Sequence, residues 1–254
     1  MRLVRFAAGG RTAYGLLEED EVRVLPRAPY AGLEPSAERL PLSEVRLLAP
    51  CEPSKIVGIG LNYRDHALEF GLTPPEEPML FLKPSTSVIG PGQDIRYPEA
   101  SRRVDFEAEL GIVIGRTAFR IRPEEAPGCV LGYTCLNDVT ARDLQGKDVQ
   151  FTRSKSFDTF APMGPWIVPD LDPHSLSIET LLNGERKQHS NTSQLLRDPF
   201  YLVHFISWVM TLNPGDVIAS GTPSGVGPML PGDCVEIRIE GIGTLANRVA
   251  AWEP

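Results

Sequence analysis

The chain alternates between apolar and polar positions over short spans, most clearly over residues 105–115. There Phe106, Ala108, Leu110, Ile112 and Ile114 share one parity, and Glu107 and Glu109 take the other. A period of two marks a strand, so both glutamates project from one face, one pleat repeat apart. Similar runs predict strands over 2–7, 12–17, 21–24, 55–60, 79–82, 87–89, 130–136, 216–219, 234–239 and 243–249, separated by glycine, proline and acidic turns. Helical spacing is rarer. It predicts a short helix over 62–70 ended by Gly71, and a helical start over 123–126 with a proline in its first turn. One longer helix is expected over 199–210, through Phe200, Val203, Ile206, Trp208 and Met210. Residues 26–41 read as proline-rich connection. Residues 72–78, with Pro74, Pro75 and Pro78, read as a mobile loop, because proline fits neither a helix interior nor a central strand. Many short strands and few helices indicate a β-rich α+β fold. We divide it into a small N-terminal β domain, 1–48, and a main domain, 49–254.

Composition narrows the partners. With 254 residues, 42% of them hydrophobic, the chain can bury a substantial core. A net charge of −8 argues against nucleic acid or an anionic membrane as partner, while leaving a small anionic substrate open. No stretch is apolar enough to span a bilayer, and the first residues, Met1-Arg2-Leu3-Val4-Arg5-Phe6, lack a signal-peptide core. A cytoplasmic location is therefore expected. There Cys51, Cys129, Cys135 and Cys234, which form no Cys-x-x-Cys pair, read as small buried hydrophobes. Gly58-Ile59-Gly60 lacks the third glycine of a dinucleotide fingerprint.

Two acids in an apolar strand are costly to bury unless something neutralises them. They can lie on a solvated edge, pair with Arg102 or Arg103, or join Asp138 in holding a divalent cation. A set of three carboxylates favours Mg²⁺, Mn²⁺ or Ca²⁺ over zinc. His66 and Glu69, three apart on the first helix, share a face. They read either as a surface pair or as a general base whose imidazole is oriented by a carboxylate, beside a loop that can serve as a lid. Lys155 lies among small polar residues in a chain with only five lysines, and suits an enolate or a substrate carboxylate. Arg142 would lie one turn from Asp138 if residues 138–142 open a helix. It suits bidentate carboxylate binding or a salt bridge with Asp143 or another acid. The loop Ser220-Gly221-Thr222-Pro223-Ser224-Gly225-Val226-Gly227 is either a tight turn or a close backbone approach to a ligand, with Thr222 as donor.

Taken together, these segments resemble the fumarylacetoacetate hydrolase family. The matches are Gly60-Leu61-Asn62-Tyr63-Arg64-Asp65-His66, Phe81-Leu82-Lys83-Pro84, Phe106-Glu107-Ala108-Glu109-Leu110 and Asn137-Asp138-Val139-Thr140-Ala141-Arg142-Asp143. They continue with Lys155-Ser156-Phe157-Asp158 and the 220–227 loop, in family order over roughly residues 55–250. The resemblance implies a mixed β-sandwich roll with a small N-terminal β domain, as a homodimer. It implies Glu107, Glu109 and Asp138 as ligands of Mg²⁺, with Mn²⁺ or Ca²⁺ as substitutes. It also implies His66, Glu69 and Lys155 as catalytic groups, and Arg142, Gln145 and Thr222 as substrate contacts. The implied substrate is a small anionic 2-oxo or 2-hydroxy-dienoate acid. The compact form resembles the 2-hydroxyhepta-2,4-diene-1,7-dioate isomerase type of aromatic catabolism, with acylpyruvate-type C–C hydrolase and oxaloacetate decarboxylase as alternatives. A reading of another class is a non-catalytic β domain stabilised by Ca²⁺.

Overall fold

The computed structural model describes residues 1–69, 71 and 73–252. Phe70, at the end of the first expected helix, and Leu72, which opens the expected loop, lie outside them. Among the described residues the strands form three sheets. The largest runs Arg39–Pro41, Glu21–Leu25, Arg11–Glu18, Arg2–Ala8, Ala161–Val168, Val130–Asn137, Ala108–Ile114, Val217–Ala219, Lys55–Gly60, Met79–Pro84. Its first four strands come from residues 2–41 and continue into the rest of the sheet where Leu3 lies opposite Ile167. A five-stranded sheet runs Glu185–Asn191, Ser177–Leu182, Cys234–Ile239, Gly243–Ala251, Ile95–Tyr97. The third sheet is small: Thr140–Ala141, Val104–Phe106, Gly227–Met229.

Burial explains this stacking. Phe106, Ala108, Leu110, Ile112 and Ile114 point into one core with Ile178, Val235, Ile237 and Leu245 of the five-stranded sheet. Val113, on the opposite parity, joins a second core with Leu3, Ile56 and Ile167. The Ala108–Ile114 strand is thus buried on both faces, and a polar side chain on it must find a partner inside the protein. No helix of the described residues is long and apolar enough to cross a membrane.

Several elements differ from the sequence expectation. The strand expected across 106–114 breaks at Glu107, where the chain leaves the small sheet for the large one. The backbone there stays satisfied: Glu107 N–H donates to Asn137 Oδ1 at 2.9 Å, and Asp138 N–H donates to the Glu107 carbonyl at 2.9 Å. Asp138 lies before a two-residue strand, so Arg142 opens its helix, Arg142–Lys147, without Asp138 in the first turn. Residues 123–126 give only the 3₁₀ turn Pro123–Glu125, and the proline-rich connection includes Arg39–Pro41, paired with Glu21–Leu25. The long helix, Pro199–Val209, is capped by Asp198, which accepts from Phe200 N and Tyr201 N. Cys51, Cys129 and Cys135 are buried, whereas Cys234 is partly exposed.

One buried acid ties the parallel pair Val217–Ala219 and Lys55–Gly60 together. Asp216 accepts from Ser54 N at 2.9 Å, Ser54 Oγ at 2.6 Å and Asn213 N at 2.8 Å, and pairs with Lys55 Nζ. Burial opposes its charge, but these donors outweigh it and hold the carboxyl below the usual aspartate range. A depressed acid stabilises the fold above its unfolded pKa, and the contribution fades as pH falls through the folded one. Asp216→Ala is therefore expected to cost about 2–4 kcal/mol in urea denaturation at pH 7. The gap from wild type should narrow below about pH 4. A constant gap down to pH 3 would refute the ionic part of this anchor.

Candidate active site and metal centre

The odd-parity side chains of the broken strand meet Asp138 at one end of the large sheet. Glu107, Glu109 and Asp138 are all buried, and each brings an oxygen within 4.8 Å of the others. Three cations surround them. Lys155, at the end of the short Thr152–Lys155 helix, places Nζ 2.8 Å from Glu107 Oε2 and 2.6 Å from Asp138 Oδ2. Its ammonium also stands 5.0 Å from the centre of the Phe81 ring. Lys83 Nζ lies 2.5 Å from Asp138 Oδ1 and 3.2 Å from the Val139 carbonyl. Arg142 donates from Nη2 to Glu107, from Nε to Asp105 Oδ2 at 2.9 Å, and from Nη1 to Gln145 Oε1 at 2.6 Å.

The charges are unevenly matched. Burial opposes ionisation of Glu107, but Lys155 and Arg142 beside it prevail and hold its carboxyl down at about 2. Burial pushes the Glu109 carboxyl well above the usual range, and Asp138 and Glu107 push it the same way as like charges. Among the described residues Glu109 accepts one hydrogen bond, from Gly221 N at 2.8 Å, and meets no cation at bonding distance. Burial lowers the Lys83 ammonium, while Asp138 and Glu107 outweigh the same effect at Lys155 and raise it. A buried acid lacking a cation, beside two others within reach of a single ion, fits a hard divalent metal.

The cleft above these acids is lined by His66, Arg142, Gln145, Lys155 and Thr222, with Ile59, Met79, Phe81 and Phe151 as apolar wall. His66, on the Arg64–Glu69 helix, approaches Glu69 Oε2 with Nδ1 at 3.2 Å. Glu69 Oε1 in turn accepts from Gly225 N at 3.1 Å, so the helix is fastened to the 220–227 loop. Glu107, Glu109, Asp138, His66, Lys155, Arg142, Gln145 and Thr222 therefore share this cleft, with Glu69 hydrogen-bonded to His66 beside it. Arg142 bridges Asp105 and Glu107, not Asp143, which accepts instead from Ser101 Oγ and Arg102 N. Lys83 and Asn137 carry structural contacts at the site that the sequence reading assigned to no role. Lys83 is the one buried residue of the otherwise partly exposed Met79–Pro84 strand, and a lysine in that run was the available signal.

These residues fall within a match to known proteins. Residues 55–250 match the fumarylacetoacetate (FAA) hydrolase C-terminal family, and residues 1–50 match the N-terminal domain called Rv2993c-like. The chain belongs to the fumarylacetoacetate hydrolase family. It is 46% identical to protein Rv2993c of Mycobacterium tuberculosis, over 98% of each chain. It is 44% identical to the oxaloacetate tautomerase YisK of Bacillus subtilis, over 82% of this chain and 74% of that one. It superposes on a 2-hydroxyhepta-2,4-diene-1,7-dioate isomerase from Mycobacterium marinum with a TM-score of 0.92 at 44% identity, over the whole of both chains. Family membership makes the acidic cluster a candidate metal centre of an enzyme and gives the β-rich fold its counterpart in solved structures.

The charge imbalance has a measurable consequence. In a chelator, Glu109→Gln is expected to raise stability by about 1–2 kcal/mol, because it removes a buried carboxylate crowded by like charges. Millimolar Mg²⁺ should raise the melting temperature of the wild type and leave that of the variant unchanged. Equal Mg²⁺ shifts in both proteins would rule out Glu109 as a ligand.

Proposed function

We propose that this protein is a Mg²⁺-dependent enzyme that moves a proton on a small enolisable 2-oxo acid, of the 2-hydroxyhepta-2,4-diene-1,7-dioate isomerase type. The observation that carries the reading is the sharing of one cleft by a carboxylate-oriented histidine and a three-carboxylate cluster. The metal would be held by Glu107, Glu109 and Asp138, with Mn²⁺ or Ca²⁺ as substitutes. When bound, it supplies Lewis-acid stabilisation of the negative charge that develops on the oxygen of an enolising 2-oxo acid.

The remaining roles fall to the protein's own groups. His66 takes a proton from the carbon beside the carbonyl and returns it elsewhere along the chain of the substrate. Glu69 fixes the imidazole's tautomer and stabilises the imidazolium between those two steps. Lys155, anchored between Glu107 and Asp138, sets a positive charge at the floor of the cleft and lowers the cost of bringing in an anion. Gln145, steadied by Arg142, and Thr222 hydrogen-bond the substrate's polar end. The apolar wall of Ile59, Met79, Phe81 and Phe151 excludes water around the reacting carbons.

A second reading, tautomerisation of oxaloacetate, is favoured by the likeness to the Bacillus subtilis tautomerase and uses the same proton transfer on a shorter acid. Acylpyruvate hydrolysis and oxaloacetate decarboxylation need the same cradle, but ask His66 to activate water or to protonate after C–C cleavage. We further propose a homodimer, supported by the exposed apolar side chains Phe119, Trp208 and Val209 on one protomer.

The test is a parallel assay of purified protein with Mg²⁺ against 2-hydroxy-dienedioates, oxaloacetate and acylpyruvates, following the loss of enol absorbance. Turnover of a dienedioate or of oxaloacetate without C–C cleavage is expected. His66→Ala should lower kcat by about 10²–10⁴-fold with an unchanged melting temperature. Glu107→Gln should abolish Mg²⁺-dependent turnover while the fold persists. Full activity of Glu107→Gln in a chelator, or no turnover of any oxo acid by the wild type, would overturn this assignment.

A further inference from the structure

The Glu185–Asn191 strand is polar throughout; Glu185, Arg186, Lys187 and His189 are exposed, Ser190 and Asn191 half-buried, and Gln188 alone is fully buried. Four hydrogen bonds converge on its amide. Gln188 Oε1 accepts from Ala108 N at 3.0 Å and from Thr180 Oγ1 at 2.7 Å. Gln188 Nε2 donates to the Pro223 carbonyl at 2.8 Å and to Thr222 Oγ1 at 2.9 Å. The amide cannot be turned round. Ala108 N–H is an obligate donor and the Pro223 carbonyl an obligate acceptor, so the oxygen must face the first and the nitrogen the second. At Thr222, therefore, Gln188 gives a hydrogen and the hydroxyl oxygen receives it. The hydroxyl's own hydrogen has to point elsewhere, and among the described residues it meets no protein acceptor. Thr222 lines the cleft.

We propose that Gln188 is a positioning residue that commits the Thr222 hydroxyl to act as a donor into the cleft, toward an acceptor oxygen of the bound acid. The selectivity follows from the amide's own polarity. A ligand oxygen is offered the hydroxyl hydrogen at no cost to the protein's own hydrogen bonds, whereas a ligand donor finds only the one lone pair that Gln188 leaves free. Because Gln188 also holds the amide of Ala108, between Glu107 and Glu109, one side chain sets both the backbone of the acid-bearing strand and the direction of the threonine. This inference rests on the proposed 2-oxo-acid reaction for the identity of the acceptor.

The test is a double-mutant cycle with the 2-oxo acid the wild type turns over, reading KM and kcat separately together with melting temperature. Thr222→Val removes the donor and is expected to raise KM about tenfold, with kcat changed far less. Gln188→Glu keeps the volume and the acceptor for Ala108, and gives the threonine an acceptor to turn toward. It should raise KM by a similar factor. In the Thr222→Val background it should change KM by less than about twofold, because the hydroxyl it redirects is gone. If Gln188→Glu does not fold, Gln188→Met, which removes both donors at similar size, takes its place in the cycle. Gln188 variants that lower only the melting temperature, or whose KM effect multiplies with that of Thr222→Val, would overturn the inference and leave the proposed function standing. A wild type that turns over no 2-oxo acid would overturn both.

Discussion

A strand buried on both faces, together with the break that precedes it, has to carry two carboxylates, and the rest of the molecule is arranged around that constraint. Lys83, Lys155 and Arg142 pair with Asp138, Glu107 and Asp105, and Arg103 also pairs with Asp105, so every described cation of the cluster is taken up by an acid other than Glu109. That leaves Glu109, whose only described partner is a backbone N–H. A buried ion pair in a protein interior rarely yields net stability, and an unmatched acid there is a liability. Its persistence makes physical sense when a further positive charge can enter. A divalent ion shared by three carboxylates would supply that charge and would place a strongly polarising centre opposite the cleft's apolar wall.

The loop at 220–227 joins the two halves of the chemistry. Gly221 N–H holds Glu109, Thr222 lines the cleft, and Gly225 N–H holds Glu69, which in turn orients His66. Only glycine fits at 225: its φ is +92°, and a Cβ there would stand 2.4 Å from the Lys187 carbonyl oxygen. Loop and helix thus fix the distance between the acidic cluster and the base, while the rigid strands beneath fix the cluster itself.

Much of this was legible in the chain. Period-two alternation located the strand that carries the glutamates and their shared face, and ordered motifs located Asp138, Lys155 and the His66–Glu69 pair. The break at Glu107 was not legible, because it arises where one sheet hands the chain to another and leaves the local alternation intact. Ala161–Val168 and Ser177–Leu182 also escaped, the first because Pro162, Gly164 and Pro165 mask its strand character. Gln188 carries no local signal: it sits in a strand of polar residues, and only packing against Ala108 and the 220–227 loop gives it a role. Arg142 was visible as a cation near the acids, but its choice of Asp105 and Glu107 over Asp143 depends on the tertiary approach of the 104–106 strand.

The central claim is that Glu107, Glu109 and Asp138 form a cradle for one divalent ion. Anomalous X-ray scattering from crystals grown with Mn²⁺ tests it directly. The expected result is a single strong peak per chain, bounded by oxygens of these three residues at about 2.0–2.3 Å. A peak elsewhere with the three carboxylates still bound only to Lys155, Lys83 and Arg142, or no peak at millimolar Mn²⁺, would contradict it.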